Sequence, residues 1–155
     1  DNFRDLAFQL AQIGHGVVLT GNDRERIEFE RDTLSTAAVP AGISNLMGHL
    51  SVRELMSVIA TADVVVSGAT GPAHLGAALG TPVVSLFDPR RNNLPVRWKP
   101  LGTGLLLRPD VPTCDKCIGN VCPYWDCLDR VTINHVVAAV RHVTKTPAAL
   151  TVLHV

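Results

Sequence analysis

The stretch from Asp63 to Phe87, DVVVSGATGPAHLGAALGTPVVSLF, constrains this chain more than any other. An apolar run stops at a Ser-Gly-Ala-Thr-Gly-Pro turn, small residues fill one short helix, and a second apolar run ends at Phe-Asp-Pro. That order predicts two parallel strands joined by a helical crossover. The turn aims unpaired backbone N–H groups above the carboxyl edge of the sheet, and the helix dipole adds positive potential there. Both favour an anion, typically a phosphate. Thr70 or Gly71 is suited to cap the helix, and Pro72 suits its first turn, where the missing N–H has no helical partner. Gly68 and Gly71 remove Cβ atoms where a ligand would approach the backbone. His74 follows Thr70 by four residues and shares its helical face. Gly76, Ala77, Ala78 and Gly80 allow the helix to pack closely on the sheet. Taken alone, the turn also reads as a tight βα connection that binds nothing.

The rest of the pattern fits around this unit. Phe3, Leu6, Ala7, Leu10 and Ala11 recur at helical spacing, and Gly14-His15-Gly16 ends that helix. Val17 to Thr20 reads as a short strand, and a charged helix follows from about Asp23 to Thr36. Residues 37–47 are weakly patterned, with an edge strand expected within Ile43 to Met47. Ser51 and Glu54 form a capping box that opens a helix through Ala60. Strands are expected at Val64–Val66, Val83–Phe87 and Leu105–Leu107, an irregular basic loop over 88–102, and a closing helix from Thr132 to about Thr144. This alternation predicts an α/β fold with a doubly wound parallel sheet over residues 1–144. Ligands bind outside the carboxyl ends of such strands. Residues 145–155 read as a tail with no interpretable pattern.

Composition narrows the function classes. Lys plus Arg and Asp plus Glu are 14 each, which removes the basic footprint of a nucleic-acid binder. Apolar residues are 46% and charged residues 18%, enough for a buried core. No apolar run approaches the ~20 residues of a transmembrane helix. The opening Asp1-Asn2-Phe3-Arg4 has no signal-peptide pattern and, without Met, suggests that an N-terminal part of a longer protein is missing.

The combination GHLSVRELMSVIATADVVVSGATGPAHLGAALGTPVVSLF, preceded by VVLTGNDRER, resembles the C-terminal half of glycosyltransferase family 9, the heptosyltransferases of lipopolysaccharide assembly. The resemblance spans Asp1 to Val143. It implies a Rossmann-like domain, the C-terminal half of a GT-B fold, that binds a nucleotide-sugar donor, usually ADP-heptose. The missing N-terminal domain would bring the glycolipid acceptor and the catalytic carboxylate, so no catalytic base is expected in this chain. By position, Glu25 matches the acidic residue that hydrogen-bonds the ribose, and Leu50 and Ser51 match the lining of the adenine site. Thr70 and Gly71 match the pair whose backbone holds the diphosphate, with Pro72 in the same turn, and His74 matches the histidine of that helix. Arg90 and Arg91 follow the next strand at the cleft rim, where they either neutralise an anion or form a solvated basic loop. Each of Glu25, Leu50 and Ser51 also has a purely structural reading as helix-start acid, core residue and cap.

One position departs from the family pattern. Many members carry Asp just before the Thr-Gly pair, where it can hold sugar hydroxyls; here it is Ala69, which leaves the transferred sugar open. The resemblance implies a cytoplasmic protein, peripheral at the inner membrane, with no organic cofactor. A second reading is a non-catalytic nucleotide-binding or regulatory module of the same fold.

All four cysteines fall within fourteen residues, as Cys114-x2-Cys117-x4-Cys122-x4-Cys127. That is the spacing of a zinc knuckle with Cys in place of His, so a structural zinc site is expected. Reduced thiols and disulfides stay open, and an iron–sulfur cluster is less favoured, since nothing else in the chain suggests redox work.

Overall fold

A computed structural model of the chain describes residues 2–34, 39–145 and 151–154. The chain divides into two compact units, Asp1–Leu55 and Met56–Val155. In the first, helix α1 (Asn2–Gln12) buries Leu6, Ala7 and Leu10, the face that the periodicity picked out. Gly14, at φ +94°, turns the chain into strand β1 (Val17–Leu19). Helix α2 is described over Asp23–Leu34; the expected end at Thr36 lies outside the described residues. Strand β2 (Ile43–Asn45) runs parallel to β1, with Val17 opposite Ile43 and Leu19 opposite Asn45. Two further backbone bonds, Leu46 N to Leu19 O and Gly48 N to Gly21 O, both 2.9 Å, carry the pairing past the strands.

Helix α3 (Val52–Thr61) holds the boundary between the units and buries Ile59. The second unit is a four-stranded parallel sheet in the order β3 (Val65–Gly68), β4 (Val83–Leu86), β5 (Gly104–Arg108), β6 (Thr151–His154). The expected single sheet is thus two parallel sheets among the described residues. The larger one accounts for the continuous apolar runs. In β4, Val83, Val84 and Ser85 have no exposed surface, as a strand covered on both faces requires. Helix α4 (Gly71–Leu79) packs on β3 and β4, and α6 (Ile133–Lys145) on β4 and β5, burying Val136, Val137, Val140 and Val143.

Two glycines explain how tightly these layers fit. A Cβ on Gly76 of α4 would stand 3.0 Å from Val83 Cγ2 and 3.3 Å from Val65 Cγ2, so the helix rests directly on both strands. Gly104 opens β5 at φ +133°, and a Cβ there would run into the Val83 carbonyl. At the far end of α4, Gly80 adopts a left-handed conformation and its N–H, with that of Thr81, returns to the last turn, a glycine C-cap.

The region 88–102 is less irregular than expected. A 3₁₀ turn covers Arg91–Asn93, and a one-turn helix α5 (Pro95–Trp98) starts at Pro95, whose fixed φ suits a first helical position. The segment read as a tail contains β6, which pairs with Leu105 to Arg108 in parallel. Residues 146–150 and 155 of that segment lie outside the described residues.

Candidate functional site

The carboxyl ends of β3, β4 and β5 lie at one edge of the larger sheet, because Gly68 is opposite Leu86 and Leu86 opposite Leu107. β3 leads there into the Gly68–Pro72 turn. Thr70 occupies the N-cap of α4 with extended backbone, φ −136° and ψ −179°, and Pro72 stands in the first turn. The expected capping bond from Thr70 is not made. Its hydroxyl instead lies 3.1 Å from Ser67 Oγ and 3.5 Å from the Gly68 carbonyl. The helix therefore has no side-chain cap; the Ala73 N–H already donates to the Thr70 carbonyl at 3.1 Å and Pro72 has none, so it is the Gly71 N–H that stays available to an anion.

The turn is held from below by hydroxyls that sequence reasoning passed over. The Gly68 carbonyl accepts the Thr70 N–H at 2.7 Å, Ser67 Oγ at 3.0 Å and Ser85 Oγ at 3.2 Å. Ser67 and Ser85 are both buried and directly opposite each other in the β3–β4 ladder. The signal in the sequence was a serine at the same place in each of two apolar strands, SG after VVV and SL after VV. Thr70, Gly71 and His74 are exposed above this support, and Pro72 is half-buried.

After β4 the chain enters a basic loop at the same edge. Asp88 accepts from Arg90 Nε at 3.0 Å, Arg90 Nη2 at 2.7 Å, the Arg90 N–H at 2.9 Å and Asn93 Nδ2 at 2.6 Å. Burial by itself would raise the Asp88 carboxyl; the side-chain and backbone bonds from Arg90, and that from Asn93, outweigh it and hold Asp88 below its usual value. Arg90 is raised in turn, chiefly by its hydrogen bond to Asp88. Arg91 pairs with Asp115 at 2.6 Å, between two exposed side chains. Both arginines named from sequence thus have carboxylate partners. Arg108, at the end of β5, was not singled out. It is 7% exposed, donates to Thr113 Oγ1 at 3.5 Å, and its Nε has no partner among the described residues. Its permanent charge adds positive potential to this edge.

In the first unit, Glu25 and Asn22 form a reciprocal cap at the start of α2. Glu25 Oε2 accepts the Asn22 N–H at 2.7 Å, and Asn22 Oδ1 accepts the Glu25 N–H at 3.0 Å. That carboxylate lies over Gly21, where a Cβ would come within 2.6 Å of Oε2. Ser51 makes the capping box expected of it: its N–H and hydroxyl reach Glu54 Oε2 at 2.8 and 2.6 Å, and its Oγ accepts the Glu54 N–H at 3.3 Å. The Ser51 hydroxyl, then its N–H, lower the exposed Glu54 carboxyl. Leu50 beside it is half-buried.

The cysteine loop joins the basic loop through backbone. The Arg91 N–H donates to the Cys114 carbonyl at 2.7 Å and the Cys114 N–H to the Pro89 carbonyl at 3.2 Å, a parallel bridge between Arg90 and Cys114. All four cysteines are free thiols, Cys117 exposed and the others half-buried. Burial first, then the neighbouring Cys114, Asp88 and Cys117, push the Cys127 thiol up, against one opposing backbone bond from Leu128. Among the described residues, no three His, Cys, Asp or Glu side chains converge as a coordination sphere. No helix among them is long and apolar enough to cross a membrane.

The sequence profile of glycosyltransferase family 9 (heptosyltransferase) matches residues 1–123. The lipopolysaccharide core heptosyltransferase OpsX of Haemophilus influenzae is 36% identical over 83 residues, which cover 51% of this chain and 24% of that protein. Lipopolysaccharide heptosyltransferase 2 of Salmonella typhimurium is 30% identical over 90 residues, 57% of this chain and 26% of that protein. The aligned segments thus span about a quarter of these relatives. The E. coli ADP-heptose lps heptosyltransferase II structure superposes with a TM-score of 0.66 at 22% identity, covering 93% of this chain and 40% of that one, so the parallel α/β fold is shared. A profile that matches four-fifths of the sequence, on a fold held in common, decides the assignment: this chain belongs to glycosyltransferase family 9.

Proposed function

We propose that this chain is the donor-binding half of a glycosyltransferase. It holds the diphosphate of a nucleotide sugar, an ADP-sugar carrying heptose or a related sugar, for transfer to a lipopolysaccharide or other glycan acceptor. The observation that carries this reading is the open N-terminus of α4, where Thr70 turns its hydroxyl onto Ser67 and leaves the helix uncapped. The Gly71 N–H and the positive end of the helix dipole there take the diphosphate, with His74 one turn along and Arg108, which has no carboxylate partner among the described residues, at the same sheet edge. Glu25 meets the ribose through the carboxylate oxygen that Asn22 does not use, and Leu50 and Ser51 line the adenine site.

In the reaction, the bond from the anomeric carbon to the diphosphate oxygen breaks as the acceptor oxygen bonds to that carbon. The diphosphate leaves with its charge stabilised by the helix end, and the acceptor proton passes to a base. That base comes from a part of the protein outside this chain. Asp88, the first acid after β4, is engaged by Arg90 and Asn93, and Ala69 stands where the family resemblance implies an acidic residue. The full-length enzyme works at the cytoplasmic face of the inner membrane as a peripheral protein.

Gly71 supplies the test. A Cβ there meets no protein atom within 4 Å, so Gly71→Val keeps the fold and obstructs only a ligand approaching the turn. Isothermal titration with ADP, UDP, GDP and their sugars should give binding strongest for ADP-sugars and weakened at least about tenfold by the substitution. Absence of binding to every nucleotide overturns the proposal.

The engagement of Asp88 equally favours a second reading, a nucleotide-binding module without catalysis. Transfer of radiolabelled sugar by the full-length protein supports the enzyme; nucleotide binding without transfer supports the module.

A further inference from the structure

We propose that Cys114, Cys117, Cys122 and Cys127 bind one zinc ion as four thiolates, and that this closes the 114–127 loop and fastens it to the loop after β4. The first ground is the spacing, two, four and four residues between successive cysteines, which allows four sulfurs of one short segment to reach a tetrahedral ion.

The second ground is that this segment has nothing else to fold around. No residue from 110 to 130 is buried, although Val121 is 75% and Trp125 67% exposed. The loop between β5 and α6 is longer than unsupported loops in compact domains usually are. Short segments without a core are held by a staple, either disulfides or a metal.

The third ground is the backbone around the sulfurs. Cys122, Trp125 and Cys127 each donate an N–H three residues back, to Gly119 at 3.0 Å, Cys122 at 3.1 Å and Tyr124 at 2.9 Å, so the third and fourth cysteines sit on successive tight turns. Gly119, at φ +66°, supplies the reversal between the second and third. The Tyr124 N–H donates to Cys122 Sγ at 3.4 Å, the kind of bond that stabilises a thiolate over a thiol.

The sulfurs do not converge at coordinating distance among the described residues. Closure takes side-chain rotation and tightening of exposed turns, with no buried packing to disturb. Binding releases the thiol protons to solvent. The Arg90 guanidinium, beside Cys114 across the bridge, offsets part of the negative charge of a four-thiolate zinc site. Through the bonds of Cys114 to Arg91 and Pro89, the closed loop holds the basic segment in place.

The experiment is titration of the reduced, chelator-treated chain with cobalt(II), followed by displacement with zinc. About one equivalent should produce thiolate-to-cobalt charge-transfer absorption and the intense visible bands of a tetrahedral site, and zinc should abolish both. Cys122→Ser and Cys127→Ser should each weaken binding by more than about tenfold. Hydrogen exchange on the wild-type chain should show the Arg91 amide slowed when zinc is bound. This readout does not depend on nucleotide binding. Absent charge transfer, a bound iron–sulfur chromophore, or mass loss from disulfides in the protein as purified would each overturn the zinc site. Zinc binding without slowing of the Arg91 amide would overturn the fastening.

Discussion

Ser85, itself without exposed surface in strand β4, donates its hydroxyl to the Gly68 carbonyl at 3.2 Å, across the ladder to the end of β3. The bond ties the floor of the candidate diphosphate turn to a strand paired on both sides within the sheet. Ser85→Ala removes one of the bonds to that carbonyl and opens a small void. Stability should fall by about 1 kcal/mol. If the turn needs this support, ADP affinity should drop several-fold beyond what the stability loss explains. Urea denaturation and calorimetric titration on the same preparations separate the two effects.

Gly104→Ala should be the most damaging single-methyl addition in the sheet. The new Cβ collides with the Val83 carbonyl, and the backbone there sits at φ +133°, which alanine avoids. A loss on the order of 3 kcal/mol is expected, against about 1–2 kcal/mol for Gly76→Ala, where the neighbours are side-chain methyls that can shift. Comparing urea midpoints of the two variants checks the ranking; equal losses would contradict it.

Asp88 gives the second unit an acid-sensitive joint. Its folded-state pKa lies below the unfolded value near 3.8, so its contribution is complete above that value and fades as pH falls through the folded one. Stability of the wild-type chain and of Asp88→Asn, measured by denaturation from pH 7 down to pH 3, should differ most near neutrality. The gap should narrow below about pH 4. A constant gap would show that the carboxylate charge is not what holds Arg90 and Asn93.

Thiol reactivity should be graded along the cysteine loop. With a chelator present at neutral pH, iodoacetamide should modify exposed Cys117 first and Cys127 last, because burial and its neighbours keep the Cys127 thiol protonated. Peptide mapping by mass spectrometry over a time course reads the order directly. Faster labelling of Cys127 would contradict it.

How far the sequence reached can be seen residue by residue. The β–turn–α–β unit, α6 and the Ser51–Glu54 cap were legible because each is specified locally, by period, by small residues or by a capping pair. Strand β3 was placed one to two residues early. Its apolar residues marked the run, whereas its end at Gly68 is set by pairing with Leu86. The Thr70 hydroxyl was expected on the helix and is found on Ser67, a choice made by a neighbour three residues back and invisible to propensity. Arg91 was legible as basic but not as paired, since Asp115 lies 24 residues away in sequence, whereas the partner of Arg90, Asp88, lies two residues back and was passed over. Arg108 was hidden in an apolar run that reads as core.

Strand β6 belongs to this last class, being specified by its partner rather than its own pattern. It occupies the outer position of the larger sheet and covers the backbone of Leu105 to Arg108. A version of the protein cut after Lys145 would keep α6 and every residue of the candidate site. It would also bare a row of β5 amides and carbonyls on a strand whose side chains are largely buried, and such an edge recruits a neighbouring chain. Those final residues therefore set which strand the sheet presents at its outer edge, a short and largely exposed one or the buried β5.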